Sequence, residues 1–180
     1  MRIIAGSRKG ARIFAPKVSE TRPTGDRVRE AAFNLIGPVE GARVIDLYAG
    51  SGAMGLEALS RGAARVVFVE TDRAALDAID RNLEKLGLTG AEIAREPAAR
   101  RLAADAQAGR RYDLVLIDPP YRMLNSALAT LAPRLADALD PAGLVVVESA
   151  AKDEPELPLP VRTTRRYGSS RLTLFEAAER

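Results

Sequence analysis

Val44-Ile45-Asp46-Leu47-Tyr48-Ala49-Gly50-Ser51-Gly52-Ala53-Met54-Gly55 joins a strand to a helix through three glycines. Residues 44–47 form a short apolar run, the pattern of a buried parallel strand. Glycines 50, 52 and 55 follow at the spacing G-x-G-x-x-G, and a helical pattern over residues 55–61 comes next. A strand, a glycine turn and a helix in that order open a ligand-binding βαβ unit, because a backbone without Cβ atoms lets a ligand approach closely. Taken alone, the glycine spacing is a weak signal.

The alternation continues outward from this stretch. Residues 66–69, 114–117 and 144–147 are further apolar runs bounded by Gly, Asp or Pro, and 92–94 is a weaker strand. Helical patterns lie at 73–86, 98–106 and 124–139. Strands alternating with helices predict an α/β sheet covered on both faces. The end differs: strand-like residues 161–167 and 172–176 are separated only by Gly168-Ser169-Ser170-Arg171, a loop short enough to join only antiparallel strands. The sheet is therefore predicted to be mixed. Residues 155–160 read as a Pro-rich loop. Before the sheet, 2–5 and 11–14 read as a hairpin around Ser7-Arg8-Lys9-Gly10. Thr24 is placed to cap a helix over 26–36 that Gly37-Pro38 stops. The division predicted is a basic extension, residues 1–38, and a main domain, residues 39–180.

A chain of 180 residues suits one domain, and 47% hydrophobic residues suffice for a packed core. There is no Cys and no His, which excludes disulfides, thiolate catalysis and the commonest general base and metal ligand. Chemistry must run on carboxylates, hydroxyls, backbone groups or a cofactor, and no metal is expected. No apolar run approaches the roughly 20 residues that span a bilayer, and the first residues do not read as a signal peptide, so a soluble cytoplasmic protein, with no membrane partner, is expected. The net charge is +3, yet residues 1–43 carry nine Lys or Arg against four acids. Arg8 and Lys9 belong to this basic segment, which suits a polyanionic partner; a solvated surface accounts for charge alone equally well.

Two carboxylates refine the glycine loop. Glu70 ends the second strand 18 residues after Gly52, where an acid can accept from both ribose hydroxyls of an adenosine. Asp46 lies four residues before Gly50 at the end of the first strand. A dinucleotide would bring its pyrophosphate to this turn, and a carboxylate there repels it. S-adenosylmethionine brings an ammonium and a sulfonium, which a carboxylate attracts. The pair favours S-adenosylmethionine, with Asp46, Ala49, Gly50, Gly52 and Glu70 around it. Asp72 reads better as the cap of the helix starting at Arg73, and Ser51 suits the turn.

Asp118-Pro119-Pro120-Tyr121 ends the strand at 114–117. In open α/β sheets, ligands bind beyond the carboxyl ends of the strands. Two prolines stop the strand and stiffen the backbone that carries Asp118 and Tyr121. An exocyclic amino group of adenine or guanine is a poor nucleophile because its nitrogen is conjugated with the ring. Asp118 and the Pro119 carbonyl can accept its two N–H bonds, orient the nitrogen and stabilise the charge that develops as a methyl group arrives. Tyr121 can stack on the base, flipped out or already unpaired.

With these residues in view, the chain resembles the class I methyltransferases carrying a D/N-P-P-Y/F motif, and more closely the RsmD family of bacterial 16S ribosomal RNA guanine-N2 methyltransferases. The resemblance spans nearly the whole chain: Arg2-Ile3-Ile4-Ala5-Gly6, Thr21-Arg22-Pro23-Thr24, Asp26-Arg27-Val28-Arg29-Glu30, residues 49–62 and Tyr167-Gly168. It implies a Rossmann-like, mostly parallel seven-stranded sheet with the last strand antiparallel, beside a small N-terminal hairpin and helix. It also implies that Asp46, Gly50 and Gly52 line the methionine side of the cofactor, that Glu70 holds the ribose, and that Asp118, Pro119 and Tyr121 form the amino-group site. Arg22, Thr24 and Arg27 would meet RNA phosphates at its mouth. The implied partner is 16S rRNA or the assembling small ribosomal subunit, met by a monomer. One departure stands out: where family members often carry Asp or Asn to accept the adenine amino group, this chain has Pro97, which leaves the backbone at Ala98, or Glu96, for that task. The alternatives are a DNA adenine-N6 methyltransferase, for which 180 residues leave little room for target recognition, a protein-glutamine methyltransferase, which usually has Asn in place of Asp118, and a non-catalytic RNA-binding protein that keeps the cofactor fold.

Overall fold

A computed structural model describes residues 1–15 and 25–178. Helix α1 (Asp26–Ile36) precedes the alternating unit β1 (Arg43–Leu47), α2 (Ala53–Ser60), β2 (Arg65–Glu70), α3 (Arg73–Leu86), β3 (Ala91–Arg95), α4 (Ala98–Gln107), β4 (Tyr112–Ile117), α5 (Leu124–Ala138) and β5 (Leu139–Ala150), and the hairpin β6 (Val161–Tyr167) and β7 (Ser170–Glu176) ends the fold. The seven strands lie in the order β3-β2-β1-β4-β5-β7-β6. β1 to β5 pair in parallel, and β7 inserts antiparallel between β5 and β6. The mixed sheet with an antiparallel last strand agrees with the sequence reading.

The period-2 alternation of the strands separates two cores. Val44, Val66, Phe68, Leu114, Leu116, Leu144, Val146, Leu172 and Leu174 face the layer formed by α1, α2, α3 and the N-terminal segment. Ile45, Leu47, Val67, Val69, Val115, Ile117, Val145 and Val147 face α4 and α5. β1, β2 and β4 are buried on both faces, hence their continuous apolar runs.

The first segment is the short hairpin expected: the N–H groups of Ile3 and Ile13 donate to the carbonyls of Ala11 and Met1 at 2.9 and 3.2 Å. It holds a single antiparallel bridge, Arg2 to Arg12, and one turn of 3₁₀ helix at Gly6–Arg8. A buried carboxylate anchors it: the N–H groups of Ile4 and Ala5 donate to the two oxygens of Glu57 on α2, at 2.8 and 2.9 Å. Glu57 is fully buried and also accepts from Arg61 at 2.8 Å, with Arg29 at 3.5 Å. Ile3 and Ile13 thereby enter the core of the sheet. The predicted cap residue Thr24 lies outside the described residues.

The third glycine of the loop belongs to the helix rather than to the turn. α2 starts at Ala53, and a Cβ on Gly55 would stand 2.3 Å from the Phe68 ring and 2.9 Å from Val66. Gly55 therefore sets how closely α2 lies on β2. Gly55→Ala is expected to destabilise the protein by about 1–3 kcal/mol, the usual cost of overpacking. Chemical denaturation checks this; an unchanged midpoint would show that α2 can move away without cost.

Candidate active site

β1, β2, β4 and β5 all run to the same edge of the sheet, and each carries an acid at or within two residues of its end: Asp46, Glu70, Asp118 and Glu148. The glycine loop begins this edge. Tyr48, Gly50 and Gly52 have φ values of 67°, 55° and 80°, so the chain reverses within five residues through three left-handed positions. For Tyr48 this conformation is strained, a cost that is tolerated where the surrounding structure imposes it. The loop is held at both sides. Ala49 donates to Val69 O at 3.0 Å and its carbonyl accepts from Gly52 at 2.8 Å. Ala49 thus shapes the loop, with its backbone groups engaged and its side chain buried.

Glu70 closes the other side. One oxygen accepts from the Gly50 N–H at 2.8 Å; the other accepts from Thr71 and Asp72 N–H at 2.7 and 2.9 Å. The carboxylate that was expected to hold a ribose sits against the loop glycine. A Cβ on Gly50 would meet nothing within 4 Å, so this part of the loop is open to a ligand. Asp72 caps α3, accepting from Ala75 N–H at 2.8 Å, as its position suggested.

Asp46 lies beneath the loop, 2% exposed, and its Oδ2 accepts from the Gly55 N–H at 2.9 Å. It therefore receives a donor of the α2 N-terminus, where the partial positive charge of the helix favours an anion. Burial pushes its carboxyl up to about 7; the Gly55 bond opposes this and the nearby Glu70 charge adds to it.

Pro97 is the N-cap of α4, and Ala98 is its first residue, buried at the same edge. Glu96 pairs with Arg100 at 3.6 Å and with Arg101 at 3.9 Å, so it is engaged along α4. Asp118 and Pro119 follow β4, the prolyl ring buried and Asp118 half-buried. Tyr121 is 40% exposed and its hydroxyl lies 3.3 Å from Ser170 Oγ.

Tyr121 opens onto a cleft of about 710 Å³ between α1 and the β6–β7 turn, lined among others by Arg27, Asn34, Glu148, Tyr167 and Ser170. Arg27 is exposed on its rim. Arg8 and Lys9 are elsewhere. The Arg8 backbone N–H donates to Ser60 at the end of α2, and its guanidinium donates to the carbonyls of Leu86 and Gly87 at the end of α3. Both helices run back from the site edge, so the basic turn sits at the opposite edge of the sheet, where its positive charge suits two helix C-termini. The structure thus joins Arg27 to Tyr121 and separates Arg8 and Lys9 from them. Arg22 and Thr24 lie outside the described residues.

Two site residues escape the sequence reading. Asn82 is fully buried on α3, accepts from Phe14 N–H at 2.7 Å, and donates to the carbonyls of Phe14 and Ser51 at 3.0 and 3.2 Å, which ties the first segment to the glycine loop. A polar residue in the apolar stripe of α3 was the available signal. Glu148 is the other, and its signal was an acid closing the apolar run 144–147.

A seven-stranded, doubly wound sheet with a glycine loop after β1 and an acid after β2 defines a class I methyltransferase. The family model described as Conserved hypothetical protein 95 matches residues 1–176. Ribosomal RNA small subunit methyltransferase D of Escherichia coli K12 is 42% identical over 68% of this chain and 61% of its own length. The protein of the same name from Haemophilus influenzae is 34% identical over 86% of this chain and 81% of its own. A solved structure of a hypothetical protein from Thermus thermophilus superposes with a TM-score of 0.84 at 34% identity, covering 98% and 99% of the two chains. This chain belongs to that family, the RsmD family.

The buried Asp46 yields a prediction. Its folded-state value lies above the unfolded carboxylate value of about 4, so folding favours its protonated form. Its contribution to stability is full below about pH 4 and is lost as pH rises through about 7. Asp46→Asn keeps an acceptor for Gly55 without the charge. It is expected to raise the melting temperature of the ligand-free protein by about 2–4 °C at about pH 8, corresponding to about 1 kcal/mol, and to change it little at about pH 4. Calorimetry across this range checks it; a variant less stable than wild type at the alkaline end contradicts the assignment.

Proposed function

We propose that this protein transfers a methyl group from S-adenosylmethionine to the exocyclic N2 of a guanine in small-subunit ribosomal RNA, acting as a monomer in the cytoplasm on the RNA or on the assembling subunit. The single observation that carries the reading is the placement of Asp118-Pro119-Pro120-Tyr121 at the edge of the sheet that also carries the glycine loop, beside a cleft with an arginine on its rim. The names of the E. coli and H. influenzae relatives support the RNA substrate.

The cofactor fits the residues present. The glycine loop is open at Gly50, and two carboxylates flank it where a phosphate would be repelled and an ammonium or sulfonium attracted. Asp46, Gly50 and Gly52 would hold its methionine end and Glu70 its ribose, while the backbone at Ala98 is a candidate for the adenine. Ala49 contributes by setting the turn. When bound, S-adenosylmethionine supplies an electrophilic methyl group.

The rest is done by this chain. Asp118 and the Pro119 carbonyl accept the two N–H bonds of the guanine amino group, so that its lone pair points out of the ring plane. The same acceptors stabilise the positive charge that grows on the nitrogen, and Asp118 is placed to receive its surplus proton. Tyr121 stacks on the base. Arg27, with Arg22 and Thr24 from the neighbouring segment, contacts phosphates, so binding should weaken as salt rises.

Asp118→Ala tests this reading. With methyl-labelled S-adenosylmethionine and small-subunit ribosomal RNA or assembling particles, transfer should fall by about 10²–10³-fold, the scale for losing a group that stabilises developing charge, while cofactor binding by calorimetry stays within about threefold. Unchanged transfer would remove Asp118 from the chemistry. An unlabelled substrate with wild-type enzyme that binds cofactor would count against RNA methylation itself.

Cofactor binding carries a second prediction. An ionised Asp46 is the form that attracts the cationic methionine end, and burial keeps much of it protonated below about pH 7. Affinity for S-adenosylmethionine should therefore rise from about pH 5.5 to about pH 7, by up to about tenfold per pH unit. Asp46→Asn should flatten this rise. A wild-type affinity independent of pH over this range would show that Asp46 does not meet the cofactor's charge.

A further inference from the structure

Glu148 lies at the floor of the cleft, 8% exposed, on the strand next to the one that carries Asp118. The ladder pairs Ile117 with Val147, so Asp118 and Glu148 follow at the same height on adjacent strands. Glu148 continues the row Leu144, Val146 toward α1, the face from which the cleft is formed. Ser170 Oγ donates to Glu148 Oε1 at 3.0 Å and lies 3.3 Å from the Tyr121 hydroxyl. A chain of polar contacts thus runs from the tetrapeptide through a hydroxyl to a carboxylate, all bordering one cavity.

The chemistry of the base decides what such a carboxylate can do. Guanine presents N1–H and the N2 amino group side by side, and both are donors. An ionised carboxylate is an acceptor only, with room for about four hydrogen bonds, so the Ser170 bond is compatible with a further donor. Adenine presents a lone pair at N1, which a carboxylate repels. Asp118 and the Pro119 carbonyl, placed against an amino group, take either base; they do not distinguish one from the other. A second acceptor, level with Asp118 and one strand away, does.

We infer that Glu148 is a specificity-determining residue that accepts the N1–H of the target guanine while Asp118 holds its N2, with Ser170 fixing the carboxylate between the base and Tyr121. The inference rests on the reading of the site as a guanine amino methyltransferase. It adds how the pocket selects guanine without any contact to neighbouring nucleotides. A site built to pair with a base donor rejects an analogue that lacks it, because the analogue's N1 lone pair then faces the carboxylate with no hydrogen between them.

The test uses 2,6-diaminopurine, which keeps the N2 amino group, replaces N1–H by a lone pair and carries an amino group in place of O6, so the variant is compared with wild type on both bases. After the nucleotide methylated by the wild-type enzyme has been mapped, small-subunit ribosomal RNA is assembled by ligation with guanine or 2,6-diaminopurine at that nucleotide, and kcat/KM is measured for both. Wild type should prefer guanine by about 10²–10⁴-fold. Glu148→Gln, whose amide can donate to N1, should narrow the preference to within about tenfold by losing guanine and gaining diaminopurine, with S-adenosylhomocysteine binding unchanged. Equal use of both bases by wild type overturns the inference without recourse to a variant. So does a variant that loses both activities by the same factor while it still binds S-adenosylhomocysteine. Should the variant fail to fold, Ser170→Ala, which frees the carboxylate from its hydroxyl, takes its place, and an unchanged preference for guanine overturns the inference. An enzyme that methylates no RNA removes the underlying reading, and an enzyme that methylates guanine N2 but ignores the N1 exchange removes only Glu148.

Discussion

The hydrogen bond from the Gly55 N–H to the Asp46 carboxylate is the constraint on which the site depends. It joins the end of β1 to the start of α2, so the glycine loop between them has fixed ends. Burial of that carboxylate is unfavourable, as its elevated titration shows. A single helix N–H and the partial charge at the helix end offset only part of the cost. The loop adds a further cost in the left-handed Tyr48. The same glycine whose N–H completes the bond packs directly on Phe68, so the position of the loop and the packing of α2 on β2 are one problem with one solution.

From that corner the edge of the sheet divides into two halves. Asp46 and Glu70, on β1 and β2, frame the loop. Asp118 and Glu148, on β4 and β5, frame the cleft under α1. The division follows from the strand order, in which β1 and β4 are neighbours and the chain turns outward in opposite directions on either side of them. On the proposed reading, a cofactor cation faces the first pair and a base amino group the second. Four acids along one edge would repel a nucleic acid were they open to it. Asp46, Glu70 and Glu148 are partly or wholly screened by backbone or hydroxyl donors, and an arginine stands at the mouth of the cleft.

Much of this was legible in the sequence because local and global preferences agree. The runs at 44–47, 66–69 and 114–117 are rich in β-branched and apolar residues, only four residues long and bounded by turn residues, which favours interior strands over helices. Asp72 before Arg73 marked the start of α3 correctly. The short turn at 168–171 revealed the antiparallel strand. The misses have physical reasons as well. The anchor of the first hairpin, the Glu57 carboxylate, left no local signal because it is more than fifty residues away in the chain. The position of Arg8 was not legible either, because charge is visible in a sequence whereas the helix ends that attract it are not. Gly143 and Pro141 concealed the first part of β5, and with it attention to Glu148, although an acid closing a central strand carried the same meaning there as at Asp46, Glu70 and Asp118.

The central claim is that the site delivers a methyl group to an exocyclic guanine nitrogen. Mass-spectrometric mapping of small-subunit ribosomal RNA, treated with this enzyme and isotopically labelled S-adenosylmethionine, measures it most directly. N2-methylguanosine is expected as the labelled nucleoside, at one position. Label in N6-methyladenosine, in a ring-methylated guanosine or in protein alone would contradict it.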